Sequence, residues 1–310
     1  MDLGVSIPSQ STSESMSGTV FAVVVTYNPD DKLADRLQAL REQVHGLLVV
    51  DNGSNNADAV HSMALQAGCS VVLNLENLGI AEALNQGARA AIQFGAEWLA
   101  TFDQDSQVAP EAIAQLLAAS ATLPQLDRVA ILAMSHRDRG TGRDYHRAGE
   151  ILKETEQWRS VRTTITSGSL VRVSVFPQVG FFDTRLFIDT VDLEFCLRCR
   201  SQGLMVMENR VVILAHSMGN STTRVIFGFP LVLTGHSPLR RYYITRNQLE
   251  MCRRFAGADL RWALGAFWDL TSGSAITLLL ETERRAKLHA MLSGLGDFML
   301  RRFGRRTRPL

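Results

Sequence analysis

Two aspartates, Asp103 and Asp105, stand one residue apart at the end of the apolar segment WLATFDQDS. If the segment is extended, side chains at i and i+2 point the same way and lie about 7 Å apart, so the two carboxylates repel each other unless a positive group lies beside them. Mg²⁺ or Mn²⁺ would be such a group, because these hard cations prefer oxygen ligands and bridge to substrate phosphates. The pair indicates a divalent-metal site, with a solvated strand end as the alternative.

The residues around this pair alternate between strand-like and helix-like segments. The apolar segments VFAVVVT, LLVVD, SVVLNL and WLATFD are separated by helix-like segments at 31–44, 56–66 and 80–94, and another follows at 110–119. Strand, helix and strand joined by short connections predict parallel strands with right-handed crossovers. We therefore predict an α/β fold with a doubly wound, mostly parallel sheet.

Polar residues follow each of the four predicted strands, where doubly wound sheets bind their ligands. In chain order they are Tyr27 and Asn28, then the DNGS segment that begins at Asp51, then Asn77 and Gly79, and finally Asp103 and Asp105. A nucleotide is the natural ligand of such a crevice, yet the chain has neither the Gly-Lys dipeptide of a P-loop nor a GxGxxG fingerprint. Its phosphate charge must then be offset in another way, which a metal held by the two aspartates would provide.

The rest of the chain divides into segments of different character. Residues 135–165 are polar and predict a loop-rich insertion with a short hairpin, LMVMENRVVILAH predicts one or two strands, and the chain from Pro238 onward is mostly helical. We expect a disordered tail over residues 1–18, a catalytic domain over 19–235 and a helical C-terminal region over 236–310 that ends in a basic tail.

Composition and cysteine content favour a globular cytoplasmic protein. The 310 residues are 46% apolar and 20% charged, with a formal net charge of +1. The four cysteines are too few and scattered for a disulfide framework, and the pair Cys196 and Cys199 is interpreted as neighbours on one helix turn rather than a zinc or redox motif. The N-terminal residues do not resemble a signal peptide, and Asp269 interrupts the apolar stretch at 263–280, so no transmembrane span is expected.

The order of the motifs resembles the family 2 glycosyltransferases of the GT-A fold, and most of all their bacterial rhamnosyltransferase branch. The resemblance covers about residues 20–256 and is carried by VVVTYNP, LLVVDNGS, NLGIAEALNQG, LATFDQDS, TSGSLVRVSVFPQVGFFD, FIDTVDLEFCLR and HSPLRRYYITRN. It implies an inverting, metal-dependent transferase that uses dTDP-L-rhamnose and builds a polysaccharide or glycolipid of the cell envelope.

The resemblance also implies roles for individual residues. Asp51 would contact the base of the sugar nucleotide with Tyr27 packed beside it, and Asn28 would belong to the same donor site. Asp103 and Asp105 would form the ribose and metal site, with His216 as a third metal ligand. Asn77, Gly79 and Asn85 would shape the donor pocket near ribose and phosphate. Ser167 and Gly168 resemble the family's loop near the donor sugar and the acceptor, although an ordinary turn explains them equally well.

The family's catalytic carboxylate lies six residues before an arginine. Counting back from Arg198 gives Asp192, with Val191 where the family often has glutamate and Glu194 at the later acidic position. An inverting transferase needs one base to deprotonate the acceptor hydroxyl, and we assign that role to Asp192. Asp189 is the alternative, and acidic residues placed at a helix start by its dipole are the structural explanation.

Further on, Arg240, Arg241 and Arg246 interleave with Tyr242 and Tyr243. They either contact the diphosphate or acceptor or form a solvated basic helix face. The final ten residues hold five arginines directly after an apolar segment, which indicates peripheral contact with the inner face of the cytoplasmic membrane, with a solvated basic tail as the alternative.

Three other functions are weighed against rhamnosyl transfer. The same fold could use a UDP-hexose or another donor. A nucleotidyltransferase would carry a Gly-rich loop with Arg and Lys near its N-terminus, which this chain lacks, and a non-catalytic nucleotide-sugar-binding protein would be expected to lose Asp105 or Asp192. The acceptor is expected to be a saccharide or a lipid-linked molecule, with no nucleic-acid partner. The sequence does not indicate the linkage or the oligomeric state.

Overall fold

The computed structural model describes residues 18–138, 150–216, 222–226 and 229–309, without the side chains of 137–138, 215–216, 222–226 and 229–232. Two compact units share these residues. The first runs to Asp183 and resumes at Phe195–His216, and the second comprises Thr184–Glu194 and the described residues after 216. The tail expected at residues 1–18 falls almost wholly outside the described residues, and the domain boundary expected after residue 235 stays a prediction.

The first half of the first unit has the predicted alternation of strands and helices. In chain order the elements are β1 Val20–Thr26, α1 Leu33–Arg41, β2 Gly46–Asp51, α2 Ala57–Gln66, β3 Ser70–Leu73, α3 Ile80–Phe94, β4 Trp98–Asp103 and α4 Ala112–Ser120. Strand β1 pairs in parallel with β2 and β4, and β2 pairs in parallel with β3. Every residue of β1 is buried, as expected for a central strand covered by helices on both faces.

The second half of the unit extends the same sheet. It contains β5 Val129–Asp138, β6 Ile151–Glu154, β7 Trp158–Val161, β8 Ser169–Arg172, α5 Phe176–Val179, α6 Val191–Ser201 and β9 Met205–His216, although the first residues of α6 belong to the second unit. The strand order is β3-β2-β1-β4-β8-β5-β9-β7-β6. Strands β8 and β7 run against their neighbours and the rest run the same way, so the sheet is mostly parallel.

The prediction of a loop-rich insertion with a short hairpin at 135–165 was wrong at its start, while residues 139–149 lie outside the described part of the structure. Strand β5 continues to Asp138 because it pairs in parallel with β9. The expected hairpin is present as β6 and β7, and β7 pairs with β9, so the hairpin forms the edge of the main sheet. The residues that pair with this segment lie far along the chain at 205–216, and a local sequence pattern does not show such pairing.

The second unit is mostly helical after a short hairpin of β10 Thr222–Ile226 and β11 Phe229–Leu233. Its helices are α7 Pro238–Phe255, α8 Leu260–Leu280 and α9 Arg284–Met299. The starts of α7 and α8 follow ordinary capping rules, since the side chain of Ser237 accepts a hydrogen bond from the Arg240 amide and that of Asp259 from the Trp262 amide. Helix α9 packs along α7, where Ala290 meets Tyr242 and Tyr243 in a small apolar core.

The arginine-rich end of the chain is folded onto these helices. The Gly304 amide donates to the Arg185 carbonyl at 2.6 Å, and the Arg306 amide donates to the Tyr243 hydroxyl at 2.8 Å. The Arg306 guanidinium also lies 3.1 Å from the Asp297 carboxylate. The sequence left both a membrane contact and a solvated tail open for this end of the chain. In the structure, tyrosine and carboxylate partners on α7 and α9 hold it in place, and its contact with a membrane stays a prediction.

Helix α8 is the one helix, among the residues described, that is long and apolar enough to cross a membrane by length and composition, which is weak evidence of a span. The cysteines are all free thiols, and Cys196 and Cys199 lie buried on α6. Those two positions agree with the interpretation of the pair as neighbours on one helix.

Candidate active site

The polar residues predicted to follow the strands do meet at one edge of the sheet. The register of β1 places Thr26 opposite Asp51 of β2 and Val25 opposite Asp103 of β4. Because these strands are parallel, their carboxyl ends and the loops that follow them lie side by side. The site therefore begins with three loops, those after β1, β2 and β4.

Asp51 is fully buried at the end of β2, and both of its carboxylate oxygens accept hydrogen bonds. One oxygen accepts from the Thr26 hydroxyl at 3.0 Å and from the Ser54 hydroxyl at 2.5 Å, and the other accepts from the Ser54 amide at 2.9 Å. A buried carboxylate needs such donors in place of water. In this structure Asp51 ties the end of β1 to the turn at 51–54, and its contact with a nucleotide base stays a prediction.

Tyr27 and Asn28 join the loop after β1 to its two neighbours. The Tyr27 amide donates to the Gln104 side chain at 2.7 Å, which connects the loops after β1 and β4. The Asn28 amide donates to the Ser54 hydroxyl at 2.7 Å, and its side chain accepts from the Asn55 amide. These bonds use the backbone of Tyr27 and leave its side chain 49% exposed, so the ring offers an aromatic face at the edge of the sheet.

A network of amide side chains, which the sequence did not reveal, supports the predicted residues Asn77 and Gly79. Asn52 donates to Asn77 at 3.2 Å and accepts from the Leu78 amide at 3.0 Å, while Asn77 accepts from the Gly79 amide at 2.9 Å. Asn74 continues the network to Gln86. The one signal in the sequence was the density of asparagines at 52, 55, 56, 74 and 77. The network fixes the loop after β3 against the loop after β2.

Gly53 allows these two loops to approach each other closely. Its φ is +83°, and a Cβ at this position would lie 2.6 Å from the Glu76 carbonyl carbon and 2.8 Å from the Asn77 nitrogen. Real Cβ atoms do not approach backbone so closely, and L side chains avoid this φ. Position 53 therefore needs glycine on two independent grounds.

Asp103 and Asp105 occupy a turn instead of a continuous strand, so the spacing of side chains in an extended segment does not apply to them. Strand β4 ends at Asp103, and the Ser106 amide donates to the Asp103 carbonyl at 3.1 Å, which closes a turn over Gln104 and Asp105. The Gln104 carbonyl also accepts from Arg36 of α1, a residue that sequence analysis missed. The side chain of Asp105 is exposed.

This donor set suits a hard divalent cation. Both aspartates offer carboxylate oxygens from one short turn, which is the ligand type that Mg²⁺ and Mn²⁺ prefer. The described residues contain no group of three or more His, Cys, Asp and Glu side chains placed to hold a metal. His216, the predicted third ligand, ends β9, but its side chain lies outside the described part of the structure. Its ligation stays a prediction.

Ser167 and Gly168 form a tight connection beside the aspartates. The buried Ser167 hydroxyl lies 2.6 Å from the Ser106 hydroxyl, and its carbonyl lies 2.7 Å from His136 Nε2. Gly168 has a φ of +76° and its amide donates to the Thr101 carbonyl. The loop predicted near the donor sugar is thus packed directly under the turn that carries Asp103 and Asp105.

Asn85 is buried on α3, where its side chain pairs with a backbone segment. Its amide nitrogen donates to the Phe182 carbonyl and its oxygen accepts from the Phe182 amide, each at 2.9 Å. Because both polar groups are occupied, any influence of Asn85 on a donor would act through the segment at 180–182. Its predicted place in the donor pocket remains untested.

The acidic residues at the start of α6 and just before it belong to the second unit, and the three carboxylates differ in environment. Glu194 is fully buried and lies 3.0 Å from Arg254. Asp189 lies 3.0 Å from Arg240, and burial raises the pKa of its carboxyl while Arg240 opposes that shift. Asp192 is only partly buried at the start of α6, where it accepts a hydrogen bond from the Leu193 amide.

Two of the three arginines that the sequence singled out on α7 lie inside the protein. Arg246 is 1% exposed and Arg241 is 8% exposed, whereas the side chain of Arg240 is 49% exposed. Arg241 lies 3.1 Å from Glu281, which Lys287 also contacts at 2.8 Å. Burial alone would raise the pKa of Glu281, but the hydrogen bond from Lys287 and the charge of Arg241 lower it. Arg241 and Arg246 can be buried because a carboxylate and backbone carbonyls from elsewhere in the fold pair with their guanidinium groups.

Comparison with known proteins assigns the family. The sequence profile of glycosyl transferase family 2 matches residues 21–180, a range that holds β1 to β5, β8 and the strand-end residues of the crevice. The chain belongs to glycosyl transferase family 2. It is 32% identical over 258 residues to the dTDP-rhamnosyl transferase RfbF of Shigella flexneri, an alignment that covers 77% of this chain and 81% of that protein. The predicted likeness to the rhamnosyltransferase branch is therefore confirmed.

A second relative and the solved structures agree with the family assignment. This family 2 transferase is 28% identical over 249 residues to galactofuranosyltransferase GlfT1 of Mycobacterium tuberculosis, covering 75% of this chain and 82% of that protein. Its fold matches S. aureus TarS 1–349 with a TM-score of 0.55 at 16% identity over 92% of this chain and 81% of the other. It also matches GalNAc-T7, solved with UDP, GalNAc and Mn²⁺, with a TM-score of 0.54 at 14% identity over 91% of this chain, which spans 56% of the GalNAc-T7 chain. These structures confirm a GT-A fold.

Proposed function

We propose that this glycosyltransferase transfers L-rhamnose from dTDP-L-rhamnose to a saccharide or lipid-linked acceptor, with inversion at the anomeric carbon. The observation that carries the proposal is the 32% identity to a dTDP-rhamnosyl transferase over 77% of the chain. The 28% identity to a galactofuranosyltransferase favours the second candidate, the same reaction with a different sugar nucleotide.

The loops after β1, β2 and β4 would hold the nucleotide of the donor. The exposed ring of Tyr27 gives a base a flat surface to pack on, and Asn28 and Asp51 fix the two loops on either side of it. Asn77 and Gly79 extend this nucleotide site through the asparagine network. Asp103 ends the strand beside them and would reach the ribose.

Asp103 and Asp105 would hold Mg²⁺ or Mn²⁺, with His216 as a further ligand. When bound, the cation would offset the charge of the nucleoside diphosphate and ease its departure. The two carboxylates stand in one turn that Arg36, Ser106 and Ser167 hold in place, so the oxygen ligands need little rearrangement.

Asp192 would take the proton from the acceptor hydroxyl. That oxygen then attacks the anomeric carbon, the bond from this carbon to the diphosphate oxygen breaks, and the diphosphate leaves with the electron pair. The position of Asp192 supports this assignment, because it lies at the start of α6 with its side chain partly exposed, where an acceptor hydroxyl can approach it. A general base contributes roughly 10² to 10⁴ in rate.

An acceptor carried on a lipid would bring the enzyme to the inner face of the cytoplasmic membrane, and α8 offers a surface for that contact. Its exposed apolar side chains recur with helical spacing, at Leu260, Leu264, Phe267, Trp268 and Leu279. Tryptophan favours the boundary between hydrocarbon and headgroups. Arginines of the C-terminal end are less suited, because Arg301 and Arg306 lie 3.2 Å and 3.1 Å from carboxylates of this unit.

The deciding experiment incubates the purified protein with a panel of nucleotide sugars and Mg²⁺ or Mn²⁺, and measures thermal stabilisation and release of the nucleoside diphosphate. We expect dTDP-L-rhamnose to give the largest stabilisation and release. Preference for UDP-galactofuranose or a UDP-hexose would establish the second candidate, and no response to any sugar nucleotide would overturn both.

A further inference from the structure

The segment that leads to Asp192 is held by a single asparagine. Asn247 of α7 is fully buried, and its side-chain nitrogen lies 2.9 Å from the Leu186 carbonyl, 2.8 Å from the Ile188 carbonyl and 3.1 Å from the Asp189 carbonyl. An amide nitrogen has two hydrogens, so these three carbonyls share its donors. The Asn247 side chain thus bonds three of the four carbonyl groups of residues 186–189.

Arg246, the preceding residue of α7, reinforces the same stretch. Its guanidinium donates to the Arg185 carbonyl at 3.3 Å and to the Leu186 carbonyl at 3.1 Å, and its Nε donates to the Asn247 side-chain oxygen at 2.9 Å. That last bond orients the Asn247 amide, so that its nitrogen faces the carbonyls. Arg246 is 1% exposed, and its bonds to Asn247 and to the Leu186 carbonyl are buried, while the bond to the Arg185 carbonyl is partly buried.

The backbone of this stretch has an uncommon conformation that requires such support. Phe187, Asp189 and Thr190 have φ values of 67°, 62° and 62°, in the left-handed region that residues other than glycine rarely adopt. Such conformations persist only where the surrounding structure over-determines them, and they cluster at functional sites. Helix α6 begins at Val191, directly after this stretch, and Asp192 is its second residue.

We propose that Asn247, oriented by Arg246, is a positioning residue that holds residues 186–190 in this conformation and thereby fixes the base Asp192. The proposal rests on the proposed function, in which Asp192 takes the acceptor proton. Asn247 touches no reacting atom and acts through the backbone that carries Asp192. Its loss should slow the chemical step and leave the donor site of the first unit intact.

The experiment measures dTDP release from dTDP-L-rhamnose with water as the acceptor, in the presence of Mg²⁺, for the full chain and its variants. We expect Asn247→Ala to lower kcat by roughly 10- to 100-fold while KM for the donor stays within about two-fold, the pattern of a lost transition-state interaction. Arg246→Lys keeps the charge but loses the planar guanidinium group, so we expect it to lower kcat less. It also replaces Asn247→Ala as the test variant if Asn247→Ala fails to fold.

Asn209 provides a matched control. It is another buried asparagine that bonds backbone, accepting from the Val211 and Val212 amides, and it lies in β9 of the first unit. Asn209→Ala should lower Tm by a similar amount with kcat within about two-fold of wild type. Equal losses of kcat in the Asn209 and Asn247 variants would mean a merely structural role and would overturn the proposal.

The double variant Asp192→Asn with Asn247→Ala separates the two claims. If Asn247 acts through Asp192, the double variant should be no slower than Asp192→Asn alone, because residues that act as a unit have non-additive effects. If the kcat losses of the two single variants multiply in the double variant, the positioning role of Asn247 is refuted, but the assignment of Asp192 as the base is not. Full activity of Asp192→Asn would instead refute the proposed base, whatever Asn247 does.

Discussion

Glu194 and Arg254 form a buried ion pair in the second unit, with 3.0 Å between Oε1 and the guanidinium and no exposure of the glutamate side chain. Breaking such a pair leaves an uncompensated charge inside the protein, so the pair is costly to disturb. Glu194 is therefore engaged in structure, although it stands only two residues from Asp192. The ion pair with Arg254 distinguishes Glu194 from Asp192, although the two carboxylates are close in the sequence.

Asp192→Asn should lower the transfer rate by roughly 10² to 10⁴ while donor affinity stays within a few-fold, because the change removes a proton acceptor and leaves the nucleotide crevice alone. Steady-state turnover and calorimetric donor binding measure the two quantities. Asp189→Asn is the control, since Arg240 already occupies that carboxylate. Normal turnover in Asp192→Asn together with lost turnover in Asp189→Asn would assign the base to Asp189, three residues upstream.

Asp105→Ala should abolish the part of donor affinity that depends on Mg²⁺, because the cation offsets the diphosphate charge in a chain without a P-loop. Calorimetry of donor binding with and without Mg²⁺ measures that part. The exposed Asp35 of α1 gives a control, and Asp35→Ala should behave as wild type. Metal-dependent affinity retained in Asp105→Ala would disprove the metal assignment.

Gly53→Ala and Gly68→Ala should separate backbone strain from steric clash. Both glycines have positive φ, +83° and +67°, but a Cβ meets backbone only at position 53. The left-handed conformation should cost either variant about 1 to 2 kcal/mol of stability, and the clash should add about 1 to 3 kcal/mol at Gly53. Only Gly53→Ala should also weaken donor binding, since it displaces the loop at 74–79. Equal Tm and equal donor affinity in the two variants would contradict this account.

His236 should make the stability of the protein fall between pH 6.5 and 4. Burial, with the positive charges of Arg240 and Arg241, lowers the pKa of His236 to about 4 from its ordinary value of 6.5. The unfolded chain then binds a proton more readily than the folded one in this window, so unfolding is favoured as the pH drops. His236→Gln should reduce the loss of Tm between pH 7 and pH 5. The same loss of Tm in the wild-type and variant proteins would argue against a neutral, partly buried His236.

Replacing Leu264 and Trp268 together by serine should reduce flotation with anionic liposomes, because these side chains supply much of the exposed apolar surface of α8. The matched control replaces two exposed apolar residues of the first unit, Ile92 and Val211, by serine. Truncation before Arg301 tests the arginine-rich end, with Tm as a check because Arg306 contacts Tyr243. Equal flotation of the wild-type protein and the Leu264/Trp268 variant would remove α8 as the membrane contact.

Local pattern determined the first four strands and their helices. The segment VFAVVVT became β1 at Val20–Thr26, and Ile80–Phe94 became α3 with the predicted bounds. These elements are continuous in sequence, carry strong periodicity and are joined by short turns, so their signals do not depend on distant partners. The crevice followed from the same signals, because parallel strands bring their carboxyl ends to one edge.

Contacts between distant residues decided the rest. Strand β5 runs into a range that looked like loop because β9 pairs with it. The turn that carries Asp105 is held by Arg36, 68 residues away, which donates to the Gln104 carbonyl. Arg246 and Asn247 are polar residues of an amphipathic helix, yet the fold buries both against carbonyls some 60 residues away in the chain. A sequence shows residue types and spacing, which determine the local pattern. A buried polar group also needs a hydrogen-bond partner, and only the tertiary structure decides which distant residue supplies it.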